Sequence, residues 1–167
     1  MTATENTIDT KIFDLPEESR VWIYQSTRPF SAQEITVLKS QLNAFTAEWT
    51  AHSKQLCAVG DVLYNQFIVL AVDEKQAGAS GCSIDKSVKF MQGIENQYDV
   101  QLFERMNFAW LEDEIVKTAP SNDFKRLFTE GGIKPETLVF DNLITSVGDL
   151  KRSWLKPLMK SWHKRFV

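Results

Sequence analysis

The run Phe67-Ile-Val-Leu-Ala-Val-Asp73 constrains this chain more than any other segment. A strand with one wet face alternates apolar and polar side chains. An unbroken apolar run needs cover on both faces, which places it centrally in a sheet. The flanking sequence must then supply neighbouring strands and the elements that cover them.

Those elements can be read on both sides. Arg20-Val-Trp-Ile-Tyr-Gln25 is rich in β-branched and aromatic residues and reads as a short strand. Ser31 and Glu34 form a capping-box pair, and Ile35, Leu38, Leu42, Phe45 and Trp49 step by three and four along one helical face. Strands are expected near 57–64 and 67–73. The Ala77-Gly-Ala-Ser-Gly81 stretch then breaks the chain before a second helix carrying Ile84, Val88, Met91 and Ile94. A further strand near 102–110 completes the order βαββαβ, the ferredoxin-like pattern. Behind it, a strand over 114–119, a short helix capped by Ser121 and stopped at Gly131-Gly132, a strand at Leu138–Phe140 and a helix capped by Ser146 with Asp149, limited by Pro157, form a smaller rhythm. The expected fold class is therefore α+β: a flexible tail over 1–19, in which Ile12, Phe13 and Leu15 can dock locally, a ferredoxin-like core over 20–112, and a C-terminal α/β extension over 113–167 packed on it.

At 167 residues the chain is most economically one domain with an appended subdomain. A 43% hydrophobic content with eleven Phe and five Trp is enough for a core, and a formal charge of −3 argues against a general nucleic-acid binder. No apolar run approaches the roughly 20 residues that span a bilayer, and the start lacks a secretory apolar region. Cys57 and Cys82 form no metal-type pair, and neither His52 nor His163 has another ligand at metal spacing. A cytoplasmic protein with free thiols, no cofactor and no metal is expected.

One segment reads as a site. Residues 80–87, Ser-Gly-Cys-Ser-Ile-Asp-Lys-Ser, fall where a strand ends and a helix begins, so a thiol, hydroxyls and a carboxylate meet unpaired N–H groups and a partial positive charge. The βαββαβ topology brings the end of the first helix to the same sheet edge, which puts His52 near Cys82. Three readings follow. A small anionic ligand would bind against Ser80, Gly81, Ser83 and Asp85, with Trp49 and His52 as a wall. A cysteine enzyme would use Cys82 as nucleophile and His52 as base, with Asp85 orienting the imidazole. A structural or protein-interaction module, homo-oligomers included, would instead use edge strands and the C-terminal stretch. Small residues filling a capped turn are the plain structural explanation of the same segment.

Two functions are disfavoured by residue pattern. Asp85-Lys86-Ser87 ends like a phosphate loop, but Gly78 and Gly81 are three apart and Ile84-Asp85 stands where the glycine before lysine belongs, so there is no Walker motif. The basic, aromatic stretch 151–166 suggests a membrane or nucleic-acid contact. However, Trp154, Leu158, Trp162 and Phe166 recur every four residues, which reads better as a docked tail with snorkelling lysines. Asp141 and Asn142 read as ordinary turn formers.

Four stretches, Arg20–Gln25, Trp49-Thr-Ala-His52, Ala79–Ser87 and Ser161-Trp-His163, resemble a family of small Bacteroidota proteins that commonly carry the automatic label "ABC transporter ATPase". The resemblance covers the chain from residue 20 onward and implies a cytoplasmic bacterial setting; the missing Walker motif speaks against the label here. A fainter likeness, on Ile133-Lys-Pro-Glu-Thr-Leu-Val-Phe140, is to GYF-type domains that bind proline-rich peptides.

Overall fold

Strand β5 (Phe67–Asp73) lies between β1 (Arg20–Gln25) and β4 (Cys57–Leu63), antiparallel to both, with Gln25 and Leu63 each opposite Phe67. Its apolar run is explained by cover on two faces. Ile68, Leu70 and Val72 pack with Leu38 and Leu42 of helix α1 (Ala32–Glu48) and with Met91 and Ile94 of helix α2 (Gly81–Tyr98). Phe67, Val69 and Ala71, one residue out of phase, face Ile12, Phe140, Val147, Leu150 and Trp154. The computed structural model describes residues 8–167.

Both long helices start as their sequences predict. Ser31 Oγ accepts from the Glu34 N–H while the Glu34 carboxylate accepts from the Ser31 N–H, and Ser80 and Ser83 form the same reciprocal box on α2. Between them Trp49 leads into a small hairpin of β2 (Thr50–Ala51) and β3 (Lys54–Gln55), with His52 and Ser53 at its tip in the left-handed backbone region.

The protein is α+β with antiparallel sheets, and the order β1-β5-β4 is that of the first three strands of a βαββαβ unit. The expected fourth strand departs from that plan. Strand β6 (Asn107–Glu112) does not join β1; it pairs over six positions with β7 (Ile115–Pro120) in a second sheet of order β7-β6-β8-β9, with β8 Leu138–Phe140 and β9 Leu155–Pro157. The hairpin partner is a few residues away along the chain, which makes this pairing cheap in loop-closure entropy. The edge of β1 is covered instead by residues 145–147: the Val21 N–H donates to the Thr145 carbonyl at 3.0 Å, and the Val147 N–H to that of Ser19 at 2.9 Å. The boundary expected between 112 and 113 falls inside the β6–β7 hairpin.

In the second half of the expected tail Ile12, Phe13 and Leu15 dock on the core, as their apolar side chains suggested. Residues 11–14 form a 3-10 turn, Ile12 is fully buried, and Thr10 Oγ1 donates to Asp61 Oδ2 at 2.6 Å. Residues 1–7 of that tail lie outside the described residues. Helix α3 (Ser121–Thr129) is preceded by Pro120 at its N-cap without a side-chain cap, so Ser121 is its first residue and not its cap. Helix α4 (Val147–Arg152) is capped by Ser146 through the Asp149 N–H. The two sheets meet where Phe67 packs on Phe140 and Trp154, with ring centroids 4.7 and 4.9 Å away. Among the described residues no helix is long and apolar enough to cross a membrane.

Candidate functional site

The end of α1 does lie beside the start of α2. Trp49, 2% exposed, donates from Nε1 to the Ser83 carbonyl at 2.9 Å. Its ring packs edge-on against Trp22 and beside Phe45, which stacks on Phe90 at 4.4 Å. Trp49 is thus part of the core beneath the helix start. His52 and Cys82 are both exposed and no hydrogen bond joins them.

The polar groups of that first turn are largely committed to one another. Ser83 Oγ accepts from the Ser80 N–H at 2.7 Å and donates to the Ser80 carbonyl at 2.8 Å, while Ser80 Oγ accepts from the Ser83 N–H at 3.2 Å. Glu74 places a carboxylate just ahead of the helix, accepting from the Ala79 N–H at 3.1 Å, where it opposes the approach of a second anion. Asp85 is exposed one turn on, and Gly81 faces open space. Arg28 serves the other end of α2: it donates to the Tyr98 carbonyl and forms a two-bond pair with Glu34. Among the described residues no three His, Cys, Asp or Glu side chains gather as metal ligands.

A polar chain that spacing did not reveal runs between the two sheets. Gln25 Nε2 donates to the Asn107 carbonyl at 2.9 Å, Asn142 Nδ2 donates to Gln25 Oε1 at 2.9 Å, and Trp154 Nε1 donates to Asn142 Oδ1 at 2.9 Å. Beside it Asp141, nearly buried, accepts from Lys156 Nζ at 2.7 Å and Trp162 Nε1 at 2.8 Å. Burial pushes the Asp141 carboxyl up, but the bonds from Lys156, Trp162 and the Leu143 N–H outweigh it and hold the group below its ordinary range. His163 stacks on Trp162 at 3.8 Å, sits 2.6 Å from Ser161 Oγ through Nδ1, and is driven down to about 4 by burial. It is a satisfied core histidine. Asp141 and Asn142 are therefore internal connectors, which their turn-like sequence did not signal.

That chain ends at an open cleft of about 430 Å³ lined by Thr27, Gln101, Glu104, Met106, Asn107, Pro120 and Ser121. Its walls are tied by hydrogen bonds: Thr27 N–H to the Gln101 carbonyl at 3.2 Å, Gln101 N–H to the Thr27 side-chain Oγ1 at 3.2 Å, and Ser121 N–H to the Met106 carbonyl at 2.9 Å. Glu104 Oε1 accepts from the Met106 N–H at 2.9 Å. Gln101, Asn107 and Ser121 line the cleft, and their side chains make no hydrogen bond with the described residues, which leaves donors and acceptors unused there. None of the residues of the α2 start lines it. No sequence signal marks it, because its walls come from three separated segments.

Comparison with protein-family models, with curated proteins and with solved structures finds no match.

Proposed function

We propose that this protein binds a small, uncharged polar ligand, and that the ligand occupies the cleft between the loop after β1, the α2–β6 connection and the start of α3. The observation that carries this reading is the convergence of Gln101, Asn107 and Ser121, with free side-chain donors and acceptors, on one concavity of about 430 Å³. Small-molecule sites typically enclose about 300–1,000 Å³ and fix orientation with a few placed polar groups. The tied walls mean that little ordering cost attends binding. Met106 and Pro120 supply the apolar contact, and the single carboxylate, Glu104, disfavours an anion.

A ligand-binding role is thus retained from the sequence, with its site moved. The reciprocal serine caps and Glu74 argue against the α2 start as an anion site, and nothing in the geometry favours Cys82 and His52 as a catalytic pair. Two free thiols, Cys57 and Cys82, support a reducing, cytoplasmic setting. Membership of the Bacteroidota family remains a proposal resting on the quoted stretches. The capped, non-Walker start of α2 supports reading the chain as something other than a phosphate-loop ATPase.

The test is a thermal-shift and NMR titration with polyols, primary amides and nucleosides, run on the native protein and on Ser121→Phe, which fills the cleft from the first turn of α3. Ligand that binds only the folded state raises its stability in proportion to saturation. Stabilisation lost in Ser121→Phe, with shifts mapped to Gln101 and Asn107, supports the proposal. Shifts that map elsewhere, or that persist in the filled variant, overturn it.

A further inference from the structure

We infer that the segment Met159–Arg165 is a docking surface for an anionic phospholipid membrane. Residues 151–167 carry six of the nineteen Lys and Arg side chains and none of the twenty-two Asp and Glu, so the remainder of the chain nets −9. Such segregation sets a purely cationic segment in an otherwise acidic chain and favours that segment as the point of approach to a negative surface. Half of the six are engaged at home: Arg152 with Glu17 at 2.7 Å, Lys156 with Asp141, and Lys151 over the Phe13 ring. Lys160, Lys164 and Arg165 are exposed and have no ion pair among the described residues. Met159, next to Lys160 in the chain, has 48% of its surface exposed, an apolar side chain suited to shallow insertion between headgroups.

The segment is held rigidly from below. Leu158, Ser161 and His163 are buried, and the Met159 N–H donates to the Pro135 carbonyl at 3.1 Å. The cations are therefore presented in a fixed arrangement. The same anchoring decides against single-stranded nucleic acid, which needs free aromatic faces for base stacking. Trp162 is stacked on His163 and bonded to Asp141, and Phe166 packs edge-on against Phe108 and Trp162. Three cations and one thioether give reversible, salt-sensitive attachment rather than permanent anchoring.

The experiment is co-sedimentation with vesicles of phosphatidylcholine alone, or of phosphatidylcholine and phosphatidylglycerol in equal parts, at low and high salt. The protein should bind only the anionic vesicles and release with salt. A basic residue near such a surface is worth about a fivefold change in binding, so K160Q/K164Q/R165Q should weaken it by about a hundredfold. The control K54Q/K86Q/K89Q, exposed cations elsewhere in the molecule, should bind as the native protein does. No binding to anionic vesicles at low salt, equal loss in the control, full binding by the C-terminal variant, or a single-stranded oligonucleotide that outcompetes the vesicles would each overturn the inference.

Discussion

The indole of Trp49 donates to the carbonyl of Ser83 at 2.9 Å, so the residue that caps the end of one helix holds down the first turn of the other. Thirty-four positions of sequence separation close to one hydrogen bond. It accounts for a helix start that is held from beneath yet has its thiol in solvent.

Trp49→Ala should destabilise the protein by about 3–5 kcal/mol, since a large buried aromatic is lost. Trp49→Phe keeps most of the packing and removes the hydrogen bond, at a cost of about 1–2 kcal/mol. Urea unfolding measures both, and amide exchange near Ile84 should quicken in each variant if the indole steadies that turn.

Acid should weaken the fold through His163 before any carboxylate does so. The folded-state value is driven down by burial, from the ordinary 6.5 to about 4, with Asp141 opposing and Lys156 reinforcing the shift. Between those values the unfolded chain takes up a proton that the folded one refuses. The stabilisation is therefore whole above pH 6.5, is lost as pH falls toward 4, and changes little below. Its size is on the order of 3 kcal/mol, and His163→Gln should flatten that limb of the stability–pH curve.

Glu34 acts in a lower window. Arg28 first, then the Ser31 N–H, hold its carboxyl at about 2 instead of 4.5. Its contribution is present above pH 4.5 and lost as pH falls toward 2. Glu34→Gln still caps α1 but lacks the charge, so it should cost under about 1 kcal/mol at neutral pH and remove that acid limb. Arg28→Ala also frees the Tyr98 carbonyl and should cost more than Glu34→Gln in the same denaturation experiment.

Two glycines should respond with opposite signs. Gly93 is exposed in the middle of α2 with open space around it, so Gly93→Ala should stabilise by about 1 kcal/mol through helix propensity. At Gly60, where β4 meets α1, a Cβ would lie 3.1 Å from Leu70 and 3.2 Å from Leu42. Gly60→Ala should cost about 1–3 kcal/mol by overpacking. Thermal unfolding of the pair separates the two effects.

What neighbouring residues encode was legible. The Ser31–Glu34 cap, the helical face from Ile35 to Trp49, the helix that starts at Gly81 and the central position of Phe67–Asp73 all follow from contacts a few residues apart or from a single repeating period. The proximity of Trp49 to the Ser80–Ser87 segment also followed, because three strands of the assumed topology do form. The fourth did not, since an apolar strand such as β6 is compatible with several partners, and it paired with its own hairpin neighbour β7. Ser121 looked like a cap, but Pro120, whose fixed φ suits the cap position, took that place.

The sequence by itself determined where the two long helices begin, which strand is buried on both faces and that the segment 151–167 carries basic but no acidic residues, because capping, periodicity and local charge are properties of contiguous residues. Only the tertiary structure decided that Asp141 and His163 lie inside, that Gln25 and Asn142 link the two sheets, and that Thr27, Gln101, Asn107 and Ser121 share a cleft. Those facts depend on side chains from distant segments meeting, and their free energy resides in burial and hydrogen bonds that exist only after the sheets have packed.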